Sequence, residues 1–244
     1  MKIVFFTGAG ISQESGIPTF RDRGGLWEEY PVEKVATSHA WRSDPIRVNE
    51  FFNMFREKYR NVKPNLAHKL ISDLQYENEV IVITQNVDDL HEQAGSLHVI
   101  HLHGELMKLC AAHNVENTDY HFELPDRNGS VTMDPNLRVK DLFPKAKHMD
   151  GMQRMRPYVV LFGEDVPNMS KAIKALEDAD LFVIVGTSLN VYPAAGILNY
   201  VDCDVVVIDP GEIEDCEQYG YTHIKEKATV GMEKLMLTLN KNQI

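Results

Sequence analysis

The stretch FFTGAGISQESGIPTFRDRGGLW, residues 5–27, decides how the chain is read. Ile3, Val4, Phe5 and Phe6 form an apolar run that enters Gly8-Ala9-Gly10-Ile11-Ser12. A strand running into a tight glycine turn ahead of a helix start lets main-chain amides approach a diphosphate. The dinucleotide fingerprint of redox enzymes also requires a third glycine three positions after the second. Gln13 stands there, and the next glycine is Gly16. The loop reads as nucleotide-binding without the signature of hydride transfer.

Working outward, six short apolar, β-branched runs stand out: KIVFFT (2–7), EVIVITQN (79–86), HVIHLHG (98–104), PYVVLFG (157–163), DLFVIVGT (180–187) and DVVVID (204–209). Most are continuous rather than alternating, as in strands buried on both faces of a parallel sheet. Helical patterns lie between them. Asp44-Pro45 is a cap with a first-turn proline, followed by Val48, Phe51, Phe52, Phe55 and Tyr59 at helical spacing. Asn65, Ser170 and Thr229 are positioned to cap three further helices. Alternating strands and helices predict an α/β fold, a doubly wound parallel (Rossmann-like) sheet. Residues 32–60 and 106–156 break the alternation, the latter with a turn at DRNGS. They are expected to form a smaller inserted lobe on a large lobe of 1–31, 61–105 and 157–244, within one catalytic domain.

Composition narrows the partners. The 244 residues suit one compact domain. A net charge of -11 and the lack of a dense basic patch argue against nucleic acid. A cationic peptide suits that charge better. The acidic cluster at 212–217 reads as a solvated loop. Cys110, Cys203 and Cys216 are too few and too widely spaced for a disulfide framework. MKIVFF is too short for a secretory leader, and no apolar run approaches a membrane span. The expected setting is cytoplasmic, the expected state a monomer.

Ligands of open parallel sheets bind beyond the carboxyl ends of the strands, so strand exits supply the candidates. Gln85, Asn86 and Asp88 stand at the second exit, although Asp88 or Asp89 can equally cap the next helix. His101 and His103 share a face because side chains alternate. His103, against Gly104, lies nearer the cleft and can take a proton near neutral pH. His101 reads as a satisfied, partly buried histidine. Gly186-Thr187-Ser188 forms another small polar turn, and Asp209 can accept from ribose hydroxyls.

Taken in order, GAGIS…SGIPTFR, TQNVD, HLHGEL, RPYVVLFGE and GTSLNVYPAA resemble the sirtuins, the NAD-dependent protein lysine deacylases. The resemblance runs over residues 2–239. It implies NAD as a co-substrate that is cleaved. It implies that Gly8, Ala9, Gly10, Ile11 and Ser12 hold the diphosphate, that Phe20 covers the nicotinamide site and that Arg21 faces the phosphates. Gln85 and Asn86 would contact the nicotinamide ribose, and Asp88 the carboxamide. His103 would be the general base, with Asn86 beside it in catalysis. Gly186, Thr187, Ser188 and Ala228 would line the adenosine side. Phe162, Gly163 and Glu164, with Asn190, Val191 and Tyr192, would pair an acyl-lysine peptide as an added strand.

The sequence departs from that family in three places. Typical sirtuins carry two C-x-x-C zinc pairs in the small lobe, whereas 106–156 holds only Cys110. Cys110, His113, His148 and Asp150 are a chemically possible but irregular set, and the expectation is no metal, with Leu124, Leu137, Leu142 and Phe143 holding the lobe together. LWEEYPVEKVATSHAW resembles the desuccinylase branch, and Ala36 matches its small pocket residue. The tyrosine and arginine that bind an acyl carboxylate there fall on Phe52 and Phe55, which predicts a preference for neutral acyl groups. Asp209 replaces the usual asparagine. An alternative remains within the same fold, an NAD hydrolase or ADP-ribosyltransferase.

Overall fold

A computed structural model describes residues 1–19, 30–124, 132–187, 194–213, 216 and 219–241. Six strands form an all-parallel sheet in the order β3-β2-β1-β7-β8-β9. They are β1 (Lys2–Thr7), β2 (Glu79–Thr84), β3 (Val99–His101), β7 (Leu181–Val185), β8 (Asp204–Ile208) and β9 (Thr222–Ile224). Their register is flush: Thr7 pairs with Thr84 and Val185, Thr84 with His101, and Val185 with Ile208. Five strand tips therefore open on one edge, with the order reversing at β1 as in a doubly wound sheet.

Period-two alternation sends Ile3 and Phe5 to one face of the sheet and Val4 and Phe6 to the other. The first face packs under helices Leu66–Asp73 and Ala228–Lys241, through Ala67, Ile71, Met232 and Leu235. The second packs under helix Met169–Ala175 and Ile197. Phe5, Phe6 and Phe182 are fully buried, each contributing about 1.5–3 kcal/mol by leaving water.

The run PYVVLFG does not join this sheet, contrary to the reading from sequence. Strand β6 (Met155–Val159) pairs antiparallel with β4 (Gly104–Ala111), which also pairs with β5 (Phe122–Glu123) in a separate three-stranded sheet. A short buried apolar run carries no record of its partner's direction. The sixth parallel strand is Thr222–Ile224, too short and too polar to stand out.

Helices Val32–Val35, Ser38–Ser43 and Pro45–Tyr59 pack Val48, Phe51, Phe52, Phe55 and Tyr59 against Ile17, Leu90, Leu106, Val159 and Leu161. Asp44 accepts from the Arg47 amide and Pro45 opens the third of these helices. Asn65 caps its helix through the Ala67 amide. Asn168, two residues before the expected Ser170, stands at the N-cap position of the Met169–Ala175 helix, its side chain donating to the His101 carbonyl instead of capping. Ala228, not Thr229, opens the last helix, and Thr229 instead bonds Glu14 through its amide and hydroxyl. Among the described residues, no helix is long and apolar enough to cross a membrane.

Candidate active site

The exits of β1 and β7 interlock. The Gly8 amide donates to Val185 at 3.0 Å, and the Gly10 amide to Gly186 at 2.8 Å. A Cβ at Gly10 would sit 2.7 Å from the Gly186 Cα, and one at Gly186 would sit 2.4 Å from the Ile11 nitrogen. Gly186 also has φ +63°, where side chains are rare. These glycines allow two backbones to touch, which sets the loop's shape. Asn65 braces it from below, donating to the Ile11 carbonyl at 2.7 Å and to Ser15.

Beside this loop, the exit of β2 builds a connected polar cluster. Asn86 is buried and donates to the Gly8 carbonyl at 3.0 Å and to the Ser12 hydroxyl at 3.1 Å. Ser12 in turn donates to Asp88 at 3.0 Å, and the Leu90 amide holds the other Asp88 oxygen at 3.1 Å. Burial raises the Asp88 pKa above its ordinary value, outweighing the hydrogen bonds that favour the charge. The Gln85 side-chain nitrogen is buried and has no hydrogen-bond partner among the described residues.

The two histidines have different surroundings. His101 bonds the Asn86 carbonyl at 3.0 Å and Glu92 at 2.8 Å. Both partners only accept, so both ring nitrogens carry protons. Burial opposes that cation, but the Glu92 bond and charge outweigh it, and the pKa is raised. His103 bonds the Gln85 carbonyl at 2.9 Å through Nδ1. Its proton is fixed on Nδ1, leaving Nε2 as the basic nitrogen. Burial lowers the His103 pKa, partly offset by that carbonyl. It is neutral at pH 7 and able to take a proton. The next residue, Gly104, has φ +83°, and a Cβ there would sit 2.0 Å from the Tyr158 carbonyl oxygen.

A buried network under the site was missed in the sequence. Thr7 donates to Thr84 at 2.9 Å, and His91 lies 3.0 Å from the same hydroxyl. The His91 and His68 rings meet edge-on at 4.9 Å. Burial lowers His68 to about 4 and His91 well below its ordinary value. The equal register of Thr7 and Thr84 at two strand tips was the available signal.

Other candidates are dispersed. Asp209 accepts from the Gly211 amide at 2.8 Å, capping its own turn, and Ala228 is buried at the start of the last helix. Thr187 is buried, in contact with the Gly8 turn. Ala36, Phe52 and Phe55 lie in the apolar cluster of the small lobe. Ile17, Phe55, Arg56, Asp88 and Leu106 line a cavity of about 20 Å³ between that cluster and the polar site. Phe162 is half exposed, its amide donating to the Ala36 carbonyl and its carbonyl accepting from Ser38. Gly163 has φ +90°. Glu164 holds the buried Arg156 at 2.6 Å. Phe20, Arg21, Ser188, Asn190, Val191, Tyr192 and the DRNGS turn lie outside the described residues.

The residues present do not fit zinc. Cys110 is buried, its thiol 3.8 Å from the Pro157 carbonyl and its pKa pushed up to about 12 by burial. His113 and His148 are exposed. Asp150 accepts from Tyr120 at 3.0 Å and from Gln153 at 3.2 Å, and Gln153 accepts from the His113 amide. Among the described residues, no three histidine, cysteine or acidic side chains come together to hold a metal. Leu109, Ala111, Met133, Val139 and Met155 form the core of this lobe, with Leu124, Leu137, Leu142 and Phe143 packed on it.

Known proteins resemble this chain in sequence and fold. The Sir2 family model matches residues 8–193. An NAD-dependent protein deacylase of Bacteroides thetaiotaomicron is 46% identical over 236 residues, 96% of each chain. A Sir2 homologue solved as an NAD complex is 36% identical with a TM-score of 0.80, covering 99% of this chain and 90% of that one. A Sir2 structure described as holding a p53 peptide and NAD+ is 27% identical with a TM-score of 0.72, covering 98% and 93%. The glycine turn, the Asn86–Ser12–Asp88 cluster and His103 all fall inside the matched span, and the chain belongs to the Sir2 family.

Proposed function

We propose that the chain is an NAD-dependent protein lysine deacylase. The observation that carries the reading is His103, neutral and with Nε2 left basic, held by the Gln85 carbonyl at the start of the turn that carries Asn86 and Asp88. Its family membership and the names of its relatives support the same activity.

NAD enters as a co-substrate whose nicotinamide–ribose bond is broken. Asp88, steered by Ser12 and Leu90, keeps lone pairs free to accept from the nicotinamide carboxamide. The Gln85 side-chain nitrogen, without a partner among the described residues, fits a ribose hydroxyl as acceptor. The acyl-lysine oxygen attacks the ribose carbon as nicotinamide leaves, a step that needs position more than a base. His103 Nε2 then takes the proton of a ribose hydroxyl, which captures the acyl group. One water then adds at the acyl carbon as the lysine amine leaves, so the products are nicotinamide, free lysine and O-acyl-ADP-ribose.

Because Phe162 commits its amide and carbonyl to Ala36 and Ser38, an added peptide strand draws on Gly163 and the Glu164 carbonyl. Phe52 and Phe55 in the apolar cluster support neutral acyl groups. Three cysteines, few and widely spaced, support a reducing, cytoplasmic setting.

Incubation with NAD and a panel of acetyl-, butyryl- and succinyl-lysine peptides tests this. The expected result is peptide-dependent nicotinamide release matched by free lysine, with succinyl slowest. Nicotinamide release indifferent to peptide would favour an NAD hydrolase or ADP-ribosyltransferase instead.

A further inference from the structure

The helix Pro45–Tyr59 carries a polar stripe on an otherwise apolar face: Asn49, Asn53 and Arg56, four and then three residues apart. Asn49 and Arg56 are fully buried. All three reach main-chain atoms of the second insertion. Asn49 donates to the carbonyls of Pro135 at 3.0 Å and Met155 at 3.2 Å. Asn53 donates to the Met133 carbonyl at 2.7 Å and accepts from its amide at 2.9 Å. Arg56 donates through Nη1 to Asn53 at 2.7 Å and through Nε to the Leu106 carbonyl at 2.7 Å.

The last bond lies where the strand ladder fails. In β4, Glu105 pairs with Tyr158, but the register then shifts, and pairing resumes only at Leu109. Leu106 falls in that irregularity, so its carbonyl is held by a side chain in place of β6. Its amide donates to the Val87 carbonyl at 2.8 Å, between Asn86 and Asp88. Three residues earlier, His103 bonds Gln85, and the Leu102 amide bonds the Thr84 carbonyl. Residues 102–106 are thus zipped along 84–87, with Arg56 closing the far end. A buried guanidinium is costly unless its bonds repay the desolvation, and here its Nη2 has no partner among the described residues.

We propose that Arg56 is a positioning residue for His103: by holding Leu106 across the strand irregularity, it fixes the histidine strand against the Asn86–Asp88 turn. The proposal rests on the deacylase reading. It predicts a selective defect. Nicotinamide exchange reports the first, base-free step, whereas lysine release also needs His103 in place.

The test measures both rates, with thermal melting, in the full chain and in Arg56→Lys, Arg56→Gln and Asn49→Ala, using labelled nicotinamide, NAD and the best acyl-lysine peptide. Arg56→Lys keeps the charge and stem, and carries the test if Arg56→Gln does not fold. The expected result is a fall of about tenfold in the ratio of deacylation to exchange for the Arg56 variants, since small misplacements slow chemistry steeply. Asn49→Ala, which bonds the far end of the stripe, melts lower and keeps the wild-type ratio. An unchanged ratio in Arg56→Lys, or an equal shift in Asn49→Ala, overturns the positioning role. A wild-type chain without peptide-dependent nicotinamide release overturns the deacylase reading first, and this proposal with it.

Discussion

The Nδ1 atom of His103 lies 2.9 Å from the main-chain oxygen of Gln85. A carbonyl can only accept, so this contact decides the tautomer and assigns the basic role to Nε2. Gln85 is also the residue whose side-chain nitrogen is left without a partner among the described residues. One residue therefore orients the proposed base and offers a donor to whatever the base acts on.

Replacing His103 by Ala is expected to slow deacylation by about 100- to 10,000-fold and leave NAD binding intact. Because burial lowers the His103 pKa, the basic form persists below the usual histidine value of about 6.5. The acid limb of wild-type activity is expected below that pH, and a pH–rate profile checks it.

Asp88→Asn separates binding from stability. The change removes an acceptor for the carboxamide, and an unsatisfied buried group costs about 1–3 kcal/mol, roughly 5- to 150-fold in KM for NAD. The raised Asp88 pKa means that its charge opposes folding at neutral pH. The variant is therefore expected to lose the part of the pH dependence of stability that Asp88 supplies, while binding NAD less well. Calorimetry and steady-state kinetics read the two effects.

Acid should loosen the fold through the histidine pair under the site. His68 is lowered to about 4 and His91 lies well below its ordinary value. A base with a depressed folded pKa contributes stability that is complete above its unfolded pKa and lost as pH falls toward the folded one. Unfolding free energy is expected to decline from about pH 6.5 toward pH 4, with protons taken up on unfolding. His68→Gln flattens that slope in denaturant titrations across the range.

Chelation should change nothing. The Tyr120–Asp150–Gln153 bonds and the apolar cluster around Leu109 hold the small lobe. Purified protein is expected to carry substoichiometric zinc and to keep its melting temperature and activity in EDTA. Loss of either on chelation contradicts this.

Much of the sheet was legible because β1, β2, β7 and β8 are continuous apolar runs, and because Asp44-Pro45 and Asn65 announce their helices chemically. The direction of β6 was not legible, since an apolar run does not encode its neighbour. Within the site, Asn86, Asp88 and His103 could be read from position at strand exits. The glycines at 8, 10 and 186 were read as ligand contacts; a Cβ on any of them would also meet the facing loop, at Thr187, Gly186 or Ile11, a constraint set by residues nearly 180 apart in the sequence. Arg56 was not among the expected site residues. Its role depends on a break in strand pairing that only the folded chain displays.

The place of the ribose against His103 can be seen in a crystal structure of the chain with ADP-ribose. A ribose hydroxyl is expected within hydrogen-bonding distance of His103 Nε2, with Nδ1 still on the Gln85 carbonyl. A ribose bound away from that ring, or an imidazole flipped to point Nδ1 at the sugar, would contradict that placement.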